Sequence, residues 1–97
     1  MVVLDTTSGK PVSDLPIAGD TDDLFYDARR KRLYLSCGQG SVEVVEQPSP
    51  NDYKLSARIA TSAGARTSLF SPELDRFYLA VPERGSQTPG IRIYQPQ

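Results

Sequence analysis

Residues 22–46, DDLFYDARRKRLYLSCGQGSVEVVE, hold three short apolar runs separated by turn residues. Leu24-Phe25-Tyr26, Leu33-Tyr34-Leu35 and Val42 to Val45 are rich in aromatic and β-branched side chains. The segments between them, Arg29-Arg30-Lys31 and Gly38-Gln39-Gly40, are too short for anything but tight turns. Runs of this composition between such breakers read as strands, here Asp23–Ala28, Arg32–Cys37 and Ser41–Gln47. A degenerate copy, RTSLFSPELDRFYLAVPERGSQTPGIRIYQ, returns over residues 66–95. Leu24-Phe25 recurs 45 residues on as Leu69-Phe70, and Leu33-Tyr34-Leu35 recurs 44 residues on as Phe77-Tyr78-Leu79. A repeat of that length carrying several strands is the signature of a propeller blade.

The flanking sequence extends the pattern. Val2–Asp5 is a strand, and Thr6–Lys10 supplies turn chemistry. Val12–Ala18 follows as a strand with Leu15 and Ile17 alternating. Pro16 cannot donate to a ladder, so that strand belongs at an edge with its nitrogen turned away from its neighbour. Pro48–Asp52 reads as a loop, and Tyr53–Thr61 as a strand in which Tyr53, Leu55, Ala57 and Ile59 alternate. Ala65–Phe70, Arg76–Val81 and Ile91–Tyr94 complete a count of nine. No window keeps helical periodicity for three turns without a breaker.

With blade strands lettered a to d from the propeller axis outward, the order is c-d, a-b-c-d, a-b-c. The fold class expected is therefore all-β, a partial β-propeller of about two blades of four-stranded antiparallel sheet. It is one domain over residues 1–97, with strands c-d in 1–19, a complete blade in 20–61 and strands a-b-c in 62–97. Propellers close with about 4 to 8 blades, and this chain alone closes no ring.

Composition excludes several functions. Eleven basic and twelve acidic residues give a net charge of −1, without the basic excess that a nucleic-acid surface requires. The run Arg29–Arg32 falls in a turn and reads as solvated. No 18-residue apolar run crosses a membrane, and the N-terminus lacks the basic head and apolar core of a signal peptide. One cysteine allows no internal disulfide. Histidine is absent, which removes the commonest general base and the commonest metal ligand together.

RLYLS at 32–36 followed by SVEVVE at 41–46 resembles the YVTN-type β-propeller repeat, in which a Tyr-Val-x-Asn strand precedes a Ser-Val-x-Val-Ile/Val-Asp strand. Tyr34-Leu35-Ser36 and Tyr78-Leu79-Ala80 stand where that family has Tyr-Val-Thr, and Val2–Lys10 resembles its Asp-x-x-Thr/Ser-Gly-Lys segment. The resemblance covers nearly the whole chain and is strongest to the last blades of bacterial, exported members, implying a periplasmic or extracellular location. It departs from the family where Ser36 and Ala80 replace Asn, and where Ser71-Pro72-Glu73-Leu74 replaces a Ser-Pro-Asp-Gly turn.

Propeller ligands and partners meet the face carrying the d-to-a and b-to-c loops. On this chain those loops are Asp20–Asp23, Cys37–Gly40, Ser62–Arg66 and Pro82–Gly90. Asp22 and Asp23, with Asp20, offer oxygens to a hard cation, against a plain reading as solvated loop acids. Arg66 is suited to hold a carboxylate or phosphate bidentately, or else to pair structurally with Asp22 or Asp23. Arg84 lies in the adjoining loop. Cys37 lacks an activating base and reads as a small buried hydrophobe. Glu43 and Glu46 do not form a convincing catalytic pair, and no residue set calls for a cofactor or metal.

Two functions follow. One is a non-enzymatic scaffold or binding unit whose partner is itself, head to tail, or the remaining blades of a parent propeller. Because nine strands do not divide into four-stranded blades, one strand per chain is then displaced or doubled at the junction. The other is the C-terminal part of a lactonase-like or quinone-dependent dehydrogenase-like propeller enzyme with its site in the missing blades.

Overall fold

A computed structural model describes residues 1–97 as nine strands with no helix: β1 (Val2–Leu4), β2 (Pro11–Asp14), β3 (Thr21–Asp27), β4 (Arg32–Cys37), β5 (Ser41–Ser49), β6 (Asp52–Ala60), β7 (Thr67–Ser71), β8 (Arg76–Val81) and β9 (Gly90–Tyr94). They form antiparallel sheets of two, four and three strands in sequence order, β1-β2, β3-β4-β5-β6 and β7-β8-β9. This is the partial propeller expected from the repeat: one complete blade between two incomplete ones.

The central sheet has two apolar faces because both alternating sets of β4 and β5 are apolar. Tyr34, Val42 and Val44 face the last sheet and bury with Phe70, Phe77, Leu79 and Val81. Leu35, Cys37 and Val45 face the first sheet and bury with Met1, Leu15, Ile17 and Leu55. We call these the front and rear faces. A strand buried on both sides reads as a near-continuous apolar run, which is how β4 appears in the sequence.

At the front interface the aromatic rings meet edge to face. Tyr34 lies 5.2 Å from Phe70 and 5.8 Å from Phe77 between ring centroids, and Phe25 lies 6.4 Å from Phe77. Such pairs are worth roughly 0.5–1.5 kcal/mol beyond their buried area. The inner strands β3 and β7 are in contact. Toward the outer strands the two sheets part, leaving a groove of about 350 Å³ lined by Val42, Val44, Ala57, Ile59, Phe77 and Tyr94. The two sheets thus touch at their inner strands and splay apart outward.

Side-chain facing fixes the repeat more sharply than residue identity does. Phe25 pairs with Tyr34, and Leu69 pairs with Tyr78, all four on front faces. Tyr26 pairs with Leu33, and Phe70 with Phe77, all four on rear faces. A single spacing of 44 therefore relates the sheets, Phe25 to Leu69 and Tyr34 to Tyr78 alike. The recurring Leu-Phe dipeptide is one residue out of step, so Phe25 and Phe70 meet across one interface from opposite sides. A one-residue offset turns every side chain to the other face. The turns obey the 44 spacing too. Asp27 Oδ1 accepts from the Arg30 N–H at 3.3 Å, Ser71 Oγ accepts from the Leu74 N–H at 3.3 Å, and Lys31 and Asp75 both sit at φ 53°.

Three strand expectations change. The second strand's ladder stops at Asp14, before Pro16; Leu15 still exchanges 2.8 Å bonds with Met1, while Ala18 N–H turns to Glu43 at 3.0 Å. In β6, Val45 pairs with Leu55 but Val44 pairs with Ala57, so Ser56 is an extra residue. The bulge interrupts the alternation: Tyr53 and Leu55 face the rear, Ala57 and Ile59 the front. Finally, β5 runs through Pro48 to Ser49 instead of ending at Gln47. The register is irregular there, between Glu46 and Ser49, and proline's missing donor is tolerated at such a bulge.

Candidate functional site

The four loops expected to form a binding face gather at one end of the sheets, held by backbone bonds from Gly38 N–H to Asp20 O and from Gly64 N–H to Gly38 O, both 2.7 Å. The close packing demands glycine at position 38, where a Cβ would stand 2.0 Å from Asp20 Oδ2 and 2.7 Å from its Cγ.

The three loop carboxylates go separate ways and do not converge on a cation position. Asp20 pairs with Arg66 at 3.1 Å, both about half exposed. Asp23 Oδ2 accepts from the Ser68 N–H of the last sheet at 2.8 Å. Asp22 is exposed at the register shift of β3 and bonds to nothing. Arg66 therefore does make a structural ion pair, but with Asp20, not with Asp22 or Asp23. The reason is the bulge at Asp22, which advances Asp23 to the neighbouring backbone and leaves Asp20 beside the guanidinium. Ser36 Oγ donates to Arg66 O and lies 2.8 Å from Ser68 Oγ. Ser36 thus fastens two sheets together.

Arg66 and Arg84 come together. They line one shallow cleft of about 410 Å³ with Gly64, Thr67, Pro82 and Glu83. Arg84 is held through its backbone, which bridges to Gln87, and its Nη1 would lie 3.3 Å from a Cβ on Gly64. With two guanidiniums, the Asp20 and Glu83 carboxylates and open walls, the cleft is close to charge-balanced. Pairs this exposed hold about 0–1 kcal/mol each.

The tightest polar groups lie elsewhere. At the opposite end, Arg30 donates to Asp27 at 2.9 Å, to both Asp75 oxygens at 2.7 and 2.8 Å, and to Pro96 O at 3.3 Å. Tyr34 donates to the same Asp27 at 2.6 Å. Arg30 is only 18% exposed, so the solvated reading of its turn holds for its neighbours but not for it. Burial alone would raise the Asp27 carboxyl; the Tyr34 and Arg30 hydrogen bonds outweigh it and hold the group below its ordinary value. The Arg30 hydrogen bonds likewise hold Asp75 down. Burial, with Asp27 beside it, pushes the Tyr34 hydroxyl up to about 12. The group is a clamp between central and last sheets.

Glu43 is wholly buried on the rear face of β5, meeting Arg58 Nε at 2.8 and 2.9 Å and the Ala18 N–H at 3.0 Å. Burial would raise its carboxyl, but the Arg58 and Ala18 bonds win and lower it. Glu46 lies on the front face, so the two glutamates cannot act on one substrate. Cys37 is fully buried 3.2 Å from Thr21 Oγ1, and burial pushes its thiol up. Neither the Arg30 clamp nor the Glu43 pair was visible in sequence. The signal available was the matched turns, which set Asp27 and Arg30 beside the equivalent Asp75 turn.

Comparison with protein-family models, with curated proteins and with solved structures finds no match to this chain.

Proposed function

We propose that this chain is a non-enzymatic assembly unit of a YVTN-type β-propeller, whose binding partner is another copy of itself arranged head to tail. The observation that carries this reading is the front face of the last sheet. Leu69, Ile91 and Ile93 are 56%, 63% and 62% exposed there, beside half-buried Tyr78 and Ala80. On the central sheet the equivalent positions Phe25, Tyr34, Ser36, Val42 and Val44 are covered. A contiguous apolar face of this kind marks an interaction surface, and a head-to-tail contact repeats until it closes a ring or runs on.

The polar chemistry supports binding over catalysis at these residues. The thiol is buried and its pKa raised, the two central glutamates face opposite ways, and Arg66 is engaged by Asp20. Sedimentation equilibrium over micromolar concentrations tests the proposal. Mass should rise with concentration toward a defined oligomer. A well-folded monomer throughout that range overturns it.

A further inference from the structure

A second set of exposed apolar residues lies on the rear face of the central sheet. Leu35, Cys37 and Val45 are covered there by Met1, Leu15, Ile17 and Leu55. Leu24 and Tyr26, on inner strand β3, remain 48% exposed. This uncovered strip along β3 is the seat for an inner strand, and the last sheet carries its inner strands with the front face bare. The two surfaces correspond residue by residue to an interface already formed. Within the chain, front residues Phe25 and Tyr34 meet rear residues Phe70 and Phe77. At the 44 spacing their equivalents are Leu69 and Tyr78 on the front of the last sheet, and exposed Tyr26 and half-buried Leu33 on the rear of the central sheet. The partner that fits is therefore a second copy.

Seating the last sheet there brings β9 to the place held by β1, which is poorly held. It has three residues, its register shifts between Val3 and Leu4, and Val2 and Leu4 are more than half exposed. Leu15 exchanges both backbone bonds with Met1. Ile17, turned to the same edge, makes no hydrogen bond through its N–H. Pro16 turns its donorless nitrogen to the other edge. Ile17 thus leaves its N–H open on the edge that β1 occupies, and β9, the edge strand of the last sheet, pairs only with β8.

We propose that β9 of one copy displaces β1 of the next and pairs antiparallel with its residues 13–18, completing a four-stranded blade from two chains. This rests on the head-to-tail reading above and specifies its junction. The register follows the complete sheet, where Val42 pairs with Ile59 and Val44 with Ala57. Ile91 then lies opposite Ile17, and Ile93 opposite Leu15. Each copy contributes eight strands to two blades and leaves β1 over, so a closed ring holds twice as many blades as chains. With rings of about 4 to 8 blades, that is two to four copies.

Cross-linking tests the junction in the full chain. A size-tagged chain with Ile91→Cys is mixed with an untagged chain carrying Ile17→Cys and treated with a short bis-maleimide. Ile93→Cys with Leu15→Cys forms a second, independent pair, and Ile93→Cys with Val3→Cys reports on β9 lying beside an undisplaced β1. Facing Cβ atoms in adjacent strands are within easy cross-linking reach, so both junction pairs should give at least ~10-fold more mixed dimer than the Val3 pair. If the copies associate by sedimentation but neither junction pair links, or the Val3 pair links best, the β1 displacement is overturned while self-association stands. If they do not associate at all, both fall.

Discussion

Tyr34 is a test of how the two larger sheets are held together. Its ring packs against Phe70 and Phe77, and its hydroxyl donates to Asp27 at 2.6 Å. Burial and the neighbouring carboxylate raise its pKa from 10.0 to about 12. A folded-state value above the unfolded one means the neutral hydroxyl contributes stability that is complete below pH 10 and lost as pH rises toward 12. A two-unit shift corresponds to about 2.7 kcal/mol in all, of which about 1.4 kcal/mol is gone by pH 11. Tyr34→Phe keeps the ring and removes the proton that titrates. At pH 7 it should cost about 1–2 kcal/mol, the worth of a buried hydrogen bond to a charged acceptor that keeps its Arg30 partner. Urea unfolding of both proteins at pH 8 and pH 11 is the assay. The advantage of the wild type over Tyr34→Phe should shrink by about 1.4 kcal/mol across that interval. If the two proteins lose stability in parallel, the phenol is not held as described and the clamp reasoning fails.

Phe77→Ala removes a ring at the centre of the front interface and should cost about 3–5 kcal/mol in denaturant unfolding, enough to leave the last sheet detached. Asp27, Asp75 and Glu43 all have lowered pKa values, so their stability is present above ordinary carboxylate pH and lost as pH falls below about 4. Acid unfolding followed by circular dichroism should shift to higher pH in Asp75→Asn, where one of those carboxylates no longer titrates and the neutral side chain holds Arg30 less well. Gly38→Ala drives a methyl into Asp20 and should lower the thermal midpoint measurably. Gly90→Ala, with nothing within 4 Å, should leave that midpoint nearly unchanged.

The fold was legible because its signals are local. Alternating apolar runs and short polar turns specify strands and hairpins, and all nine strands lie where those signals place them. Ends and register were less legible. The Ser56 bulge and the early stop of β2 before Pro16 depend on which neighbour each backbone group meets, and that is decided between sheets. The Leu-Phe recurrence shows the limit of identity matching, since facing and not residue type defines equivalence in a sheet. Arg66 and Arg84 line one cleft, but which acid reaches Arg66 turns on a single bulged residue. Arg30 was hidden because a basic turn looks solvated until the neighbouring sheet supplies Asp75. The bare front of the last sheet was invisible, for Leu69, Ile91 and Ile93 read like any half-buried strand.

Head-to-tail assembly requires that face to be an interface. Each of Leu69, Ile91 and Ile93 retains over half its exposure, so covering all three contributes about 3–5 kcal/mol before losses on association. Ile93→Lys puts an unpaired charge at the centre of the face without touching the front interface of the central sheet. Sedimentation equilibrium of wild type and Ile93→Lys under one buffer is the most direct measurement. The wild type should self-associate at micromolar concentration, and the Ile93→Lys chain should have its dissociation constant raised at least ~30-fold, about 2 kcal/mol. A wild type that stays monomeric, or an Ile93→Lys chain that associates as tightly as the wild type, contradicts head-to-tail assembly.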